Sequence, residues 1–275
     1  SEDRLTWYSR LKYFQANRAF ARGEDLEAET ILQEIDENVP IEELDPKVIG
    51  EIGLVYADAG FQYASDYFEY ILKQYPTNPA RAEAWYGLAE EHLTQEEFEE
   101  ADDLLRKFEQ QFPLHPLAPR VRTLRGHLLL QKGEYADAEQ TFEEILKLKS
   151  ARGQPHARAL AGLAELNEAQ NKPDRAIAYW QRIYTLYRAY PDLVAEAYYR
   201  SALLFEEIGD YRAAIRSLEE MLSDERLLTT PEAIRAADLL EELVDQYGNL
   251  PPEVEAGDPT IPSPEPATEP AETIR

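Results

Sequence analysis

Four histidines, His92, His115, His127 and His156, and a surplus of adjacent carboxylates are the groups in this sequence best able to do chemistry. A metal site or a general acid–base pair needs such groups to converge, and their spacing gives no sign of it. The histidines stand at least twelve residues apart, with no His-Glu-x-x-His pair on one helical face, so each reads as a packed or hydrogen-bonded imidazole. The pairs Glu96-Glu97, Glu99-Glu100, Asp102-Asp103 and Glu143-Glu144 are what 54 acidic residues in 275 positions produce on wetted helix faces. Cysteine is absent, which removes disulfides, thiolate ligands and thiol nucleophiles together. No glycine lies in a phosphate-cradling or nucleophile-elbow motif. The sequence therefore implies no catalytic residue, no metal and no cofactor.

One cationic cluster stands against this background. Arg120, Arg122 and Arg125 fall within six residues, and Arg122 and Arg125 occupy positions where the local pattern wants an apolar residue. Two readings follow: their stems pack while their heads pair with acids of the preceding helix such as Asp102 and Glu109, or they form a site that reads a carboxylate.

The overall charge narrows the partners. With 54 Asp and Glu against 28 Lys and Arg, the formal charge is −26, and such a surface repels phosphate backbones and anionic lipid. Nucleic acid is thus not an expected partner. No stretch approaches the roughly 18 apolar residues of a membrane helix, so direct insertion is not expected either. The chain opens Ser1-Glu2-Asp3-Arg4 without a methionine or an apolar signal core, so a leader or domain removed before Ser1 is an expectation, with the choice between them open.

What positions the side chains is a repeat. The segments Ala21-Arg22-Gly23-Glu24-Asp25, Ala59-Gly60-Phe61-Gln62-Tyr63, Lys132-Gly133-Glu134-Tyr135 and Ile208-Gly209-Asp210-Tyr211 are one turn, followed by Ala28, Ala64, Ala138 and Ala214. Two further copies without the glycine carry Ala101 and Ala176, and the six alanines are 36 to 38 residues apart. Apolar spacing is helical on both sides of each turn, as in Trp85, Leu88 and Ala89 before it and Phe98, Ala101, Leu105 and Phe108 after it. Each unit is therefore an antiparallel helical hairpin. Its small alanine permits close approach, and a large residue four positions on (Leu32, Phe68, Leu105, Phe142, Trp180, Leu218) fills the space beside it. Hairpins of this kind stack to bury their second faces. Pro40, Pro76 and Pro113 end the second helix in the first three copies.

The unit Ala84-Trp85-Tyr86-Gly87-Leu88-Ala89, then Phe98-Glu99-Glu100-Ala101, then Phe112-Pro113, resembles a tetratricopeptide repeat. The resemblance runs from about residue 5 to 226 and implies an all-α solenoid of six hairpins in a right-handed superhelix without strands. It departs from the pattern in its longer period and in the last three copies, where Ser150, Arg188 and Arg226 stand near the place of the terminal proline. The linking phrases around Tyr75-Pro76 and Phe112-Pro113 are similar to the bacterial envelope branch, the repeats of outer-membrane assembly lipoproteins and Tol-Pal-associated proteins. That likeness implies a periplasmic or envelope location, with the cytoplasm as the alternative. Residues 231–247 follow as a cap helix with Thr230 as N-cap, an inward face of Ile234, Ala237, Leu240, Leu243 and Val244, and a charged outer face. The helical domain spans 1–247, and 248–275, with seven prolines and no aromatic, is expected to be a disordered acidic tail.

A stacked array makes a concave groove from the first helices of its hairpins. The repeat register aims Tyr13 and Phe20 of the first copy into that groove, then Tyr86 of the third, Arg120, Thr123 and His127 of the fourth, Arg158 of the fifth and Tyr199 of the sixth. Aromatic and arginine side chains in that arrangement suit a protein or peptide partner, so the expected function is a non-catalytic interaction scaffold. A self-assembling subunit and the regulatory array of a larger enzyme are the alternatives. The dicarboxylate clamp of chaperone-binding relatives is not supported, because Tyr13 stands where that clamp has a lysine.

Overall fold

A computed structural model describes residues 2–20, 22, 25–58 and 64–248. Among them are thirteen α-helices and no strand. They pair as α1 (Glu2–Phe20) with α2 (Asp25–Asn38), α3 (Pro46–Asp58) with α4 (Ala64–Gln74), α5 (Arg81–Thr94) with α6 (Phe98–Gln111), and α7 (Ala118–Gln131) with α8 (Tyr135–Lys147). Then come α9 (Gln154–Ala169) with α10 (Pro173–Leu186), α11 (Pro191–Glu207) with α12 (Tyr211–Ser223), and the single α13 (Pro231–Tyr247). The six expected hairpins and the cap helix are all present, as an α-solenoid.

The repeat works as its composition implies. Ala28, Ala101, Ala138, Ala176 and Ala214 are fully buried and Ala64 nearly so, and the large residues four positions later, from Leu32 to Leu218, are buried beside them. Each turn between paired helices needs one left-handed residue so that the chain can reverse on the helix end. Gly133 and Gly209 supply it at φ +76° and +81°, and the two copies without glycine use Glu96 and Asn171 at φ +62° and +56°. In all four, the amide after that residue bonds back five positions, as Glu134 does to the Leu129 carbonyl. Gly23 and Gly60 lie outside the described residues. The prolines also act as expected: α2, α4 and α6 each end two residues before Pro40, Pro76 and Pro113.

From α4 onward, each second helix packs on the first helix of the next hairpin, and successive first helices touch one another, from α1 with α3 to α11 with α13. The cap helix has its expected bounds but a different rotation. Ala233, Ala236 and Leu243 are buried against α12 and α11, whereas Ile234, Ala237 and Val244 face outward. Pro231 does open the helix, yet the Thr230 hydroxyl donates backward to the Leu227 carbonyl at 2.7 Å and does not cap α13. The expected tail, 249–275, lies outside the described residues.

Candidate partner-binding site

First helices face the inside of the array, and their side chains wall a cavity of about 1260 Å³. Asn17 and Phe20 come from α1, Val55 and Asp58 from α3, and Gln154 and Arg158 from α9. The far side is formed by Glu196 on α11, Glu232 on α13, and Arg188 and Arg226 in the links before those helices. The wall carries both charges, with Phe20, Pro191 and Leu193 among its apolar residues.

Polar links cross this inner face from helix to helix. Arg120 on α7 donates through Nε to the Tyr86 hydroxyl on α5 (3.1 Å) and through Nη2 to Asp58 on α3 (2.8 Å), with its guanidinium 4.8 Å from the centre of the Tyr86 ring. Burial works against the Arg120 charge, but Tyr86, Asp58 and Glu90 outweigh it and hold the group above its ordinary range. Burial pushes the Tyr86 phenol up. Arg158 on α9 reaches Glu90 on α5 at 3.7 Å, and His127 on α7 lies 3.5 Å from Glu165 on α9. Arg200 on α11 pairs with Glu168 on α9, which also accepts from the Trp180 indole at 2.6 Å. Burial raises the Glu165 carboxyl, but His127, Arg200 and Arg158 outweigh that and hold it below its ordinary range; burial and the nearby Glu165 push Glu196 up.

Seven of the eight expected groove residues divide into three groups. Phe20 and Arg158 line the cavity, and the buried Arg158 Nε has no hydrogen-bond partner among the described residues. Tyr13, half-buried on α1, belongs to the charged cluster of Glu51, Asp58 and Arg120, and Arg120 itself is held by Tyr86 and Asp58. Tyr86, His127 and Tyr199 serve as supports: Tyr86 is 3% exposed, the His127 ring stands edge-on to Phe142, and Arg235 lies over the Tyr199 ring at 5.0 Å. Thr123 departs from expectation. It is buried, and its hydroxyl donates to the Pro119 carbonyl of its own helix (2.9 Å), so it offers nothing to a ligand.

The three clustered arginines point three ways. Arg125 donates to Glu109 at 2.9 and 3.2 Å and to Asp102, which is the pairing reading of the sequence. Arg122 is exposed, and Arg120 alone faces the inner surface. Sequence reasoning missed Arg188 and Arg226 as cavity residues, although a signal existed. Both replace the terminal proline, 38 residues apart, and Arg226 donates to the Arg188 carbonyl at 3.3 Å.

Family models described as tetratricopeptide repeat match residues 56–116, 86–154 and 123–194, and another of the same description matches 196–224. The chain belongs to the tetratricopeptide repeat family. No curated protein sequence matches it significantly. Among solved structures, this tetratricopeptide repeat chain is similar to one in the APC/C hetero-tetramer Cut9–Hcn1, at 14% identity and TM-score 0.60 over 85% of this chain and 42% of that one. It therefore spans about two fifths of that chain's length. A monomeric mutant of IFIT1 with m7Gppp-AAAA is matched at 18% identity and TM-score 0.53, over 85% of this chain and 55% of that one. PilW, a type IV pilus biogenesis factor, is matched at 18% identity and TM-score 0.50, over 80% and 97%. At these identities the likeness is one of fold. No helix among the described residues is long and apolar enough to cross a membrane.

Proposed function

We propose that this tetratricopeptide repeat protein is a non-catalytic interaction scaffold that holds an extended peptide or a segment of a partner protein in the cavity of its inner face. The observation that carries this is the cavity itself. At about 1260 Å³ it exceeds the roughly 300–1,000 Å³ of small-molecule sites, and its wall draws on at least four first helices, so its natural occupant is a chain and not a metabolite. The mixed wall, in which Arg158, Arg188 and Arg226 stand among Asp58, Glu196 and Glu232, suits a ligand with charges of both signs and a polar backbone. Arg158 is the first candidate anchor, because it lines the cavity with a side chain that is partly exposed.

A phage-displayed random peptide library selected on the full chain tests this reading. Enriched peptides should lose binding to Arg158→Glu and to Phe20→Ala and keep it to Glu143→Lys, a change at an exposed residue of α8. No enrichment, or peptides indifferent to both cavity changes, would overturn it. The location we propose is the bacterial envelope, supported by the likeness of the linking phrases around Pro76 and Pro113. The reading frame upstream of Ser1 and fractionation of the source cell test it, and a cytosolic chain without a leader defeats it.

A further inference from the structure

The outer face of α1 carries an apolar stripe that nothing among the described residues covers. Trp7, Leu11 and Phe14 follow one another at helical spacing and are 73%, 57% and 61% exposed. The counterparts of Leu11 and Phe14 in the third and fifth hairpins are small and buried. Leu11 stands seventeen residues before Ala28, as Ala84 does before Ala101 and Ala159 before Ala176; Phe14 stands fourteen before, as Gly87 and Gly162 do. Ala84 and Ala159 are fully buried, and a Cβ at Gly87 or Gly162 would run into Phe68 or Phe142 of the preceding hairpin. This is the face on which a neighbouring unit seats its second helix. In α1 the groove has become a ridge of large side chains, bracketed by the exposed Arg4 and Arg18, neither of which has an ion pair with a described residue.

The last helix offers the complement. On α13, Ile234 is 71% and Val244 42% exposed, Ala237 lies between them, and Asp238, Glu241 and Asp245 are exposed beside that stripe. We propose that copies of this chain associate head to tail, the outer face of α1 in one copy docking on the outer face of α13 in the next. Trp7, Leu11 and Phe14 of one copy and Ile234 and Val244 of the next leave water on each contact, and arginines meet carboxylates around the rim. The alternative symmetric contact, α1 on α1, would set Arg4 and Arg18 of one copy against those of the other, so charge selects the unlike pairing. A heterologous contact of this kind leaves one free face at each end and grows into open chains. None of the residues involved lines the cavity, so the proposal stands apart from peptide binding.

Sedimentation velocity on the full chain, over a hundredfold range of concentration reaching about 100 μM, reads the outcome. The average mass should climb past that of a dimer as concentration rises, and fall back at about 0.5 M salt as the charged rim is screened. Leu11→Glu and Ile234→Glu should each give monomers, and their equimolar mixture should form a species that stops at two copies, because one good face of each kind remains. Both positions are exposed, so circular dichroism should be unchanged; Trp7→Ser serves as a second variant if Leu11→Glu disturbs α1. A wild-type chain that stays monomeric would overturn the proposal and leave the stripe to another occupant. A dimer that survives Ile234→Glu, or a mixture that stays monomeric, would also overturn it.

Discussion

The Phe68 ring of α4 sits between Gly53 of its own hairpin and Gly87 of the next, and a Cβ added at Gly53 would lie 2.7 Å from the ring. Two units later Phe142 is held in the same way between Gly126 and Gly162. An aromatic side chain slotted between two glycines is thus the joint that couples neighbouring hairpins in the middle of the array. Glycine in a helix interior costs about 1 kcal/mol relative to alanine, so four such positions need a packing reason, and the ring is that reason.

Gly87→Ala and Gly162→Ala should therefore destabilise the protein although they raise helix propensity. The added methyl must displace a fully buried ring, an overpacking change of about 1–3 kcal/mol, against a propensity gain of about 1. Thermal denaturation should show a melting temperature several degrees lower for each. A rise at both positions would mean that the rings move aside freely and that the joint is loose.

The period, the close-packed alanines and the cap helix were legible in the sequence because they are local: one helical register repeated six times declares itself. Which inner residues stay wet was not legible, because it depends on how tightly the array curves. Alternate first helices come close enough for Asp58 of α3 to bond Arg120 of α7 and for Glu90 of α5 to meet Arg158 of α9. That closeness buries Tyr86 and Thr123, which a flatter stack would leave open. The rotation of α13 was hidden for a related reason. Its apolar residues form two stripes, and only the packing of Ala233, Ala236 and Leu243 on α11 and α12 decides which one turns inward.

Arg125 and Arg122, three residues apart, should behave differently. Arg125 neutralises Asp102 and Glu109 in a half-buried site, so Arg125→Ala leaves two carboxylates facing each other and should cost about 1–2 kcal/mol after solvent screening. Arg122 is exposed, and Arg122→Ala should fall within about 0.5 kcal/mol of wild type. Urea titrations of both variants check the contrast, and equal effects would show that the ion pairs add nothing.

Glu83 on α5 gives a pH-dependent prediction. It is buried, and that burial raises its carboxyl above the ordinary 4.5; the His115 imidazole 3.7 Å away is itself held low by burial and by Lys47. A carboxyl whose pKa is raised on folding favours the folded state while protonated, below the unfolded value, and that advantage is lost as pH climbs through the folded value. Glu83→Gln should therefore raise the melting temperature at neutral pH, and its lead should vanish below pH 4.5. A lead that is absent at neutral pH, or that grows on acidification, would show that the ionised form is stabilised.

The inner face separates support from contact most sharply at Tyr86, Arg120 and Arg158. Tyr86 is 3% exposed and its hydroxyl accepts from Arg120, so Tyr86→Ala is a core truncation expected to cost about 3–5 kcal/mol, and any loss of binding it caused would be uninterpretable. Tyr86→Phe keeps the ring and removes only the acceptor, for about 0.5–1.5 kcal/mol. Because Arg120 then loses one of its two anchors while Asp58 keeps the other, peptide affinity should change little. Arg158→Ala removes a partly exposed cavity group whose ion pair to Glu90 is long at 3.7 Å, so stability should fall by no more than about 1 kcal/mol while a cavity peptide binds at least about fivefold more weakly, equivalent to roughly 1 kcal/mol. Calorimetric titration of one selected peptide against Tyr86→Phe and Arg158→Ala, with melting curves of both, reads affinity and stability separately. If Tyr86→Phe weakens the peptide as much as Arg158→Ala does, the ligand contacts Arg120 directly, and the binding surface extends from the cavity along α5 and α7.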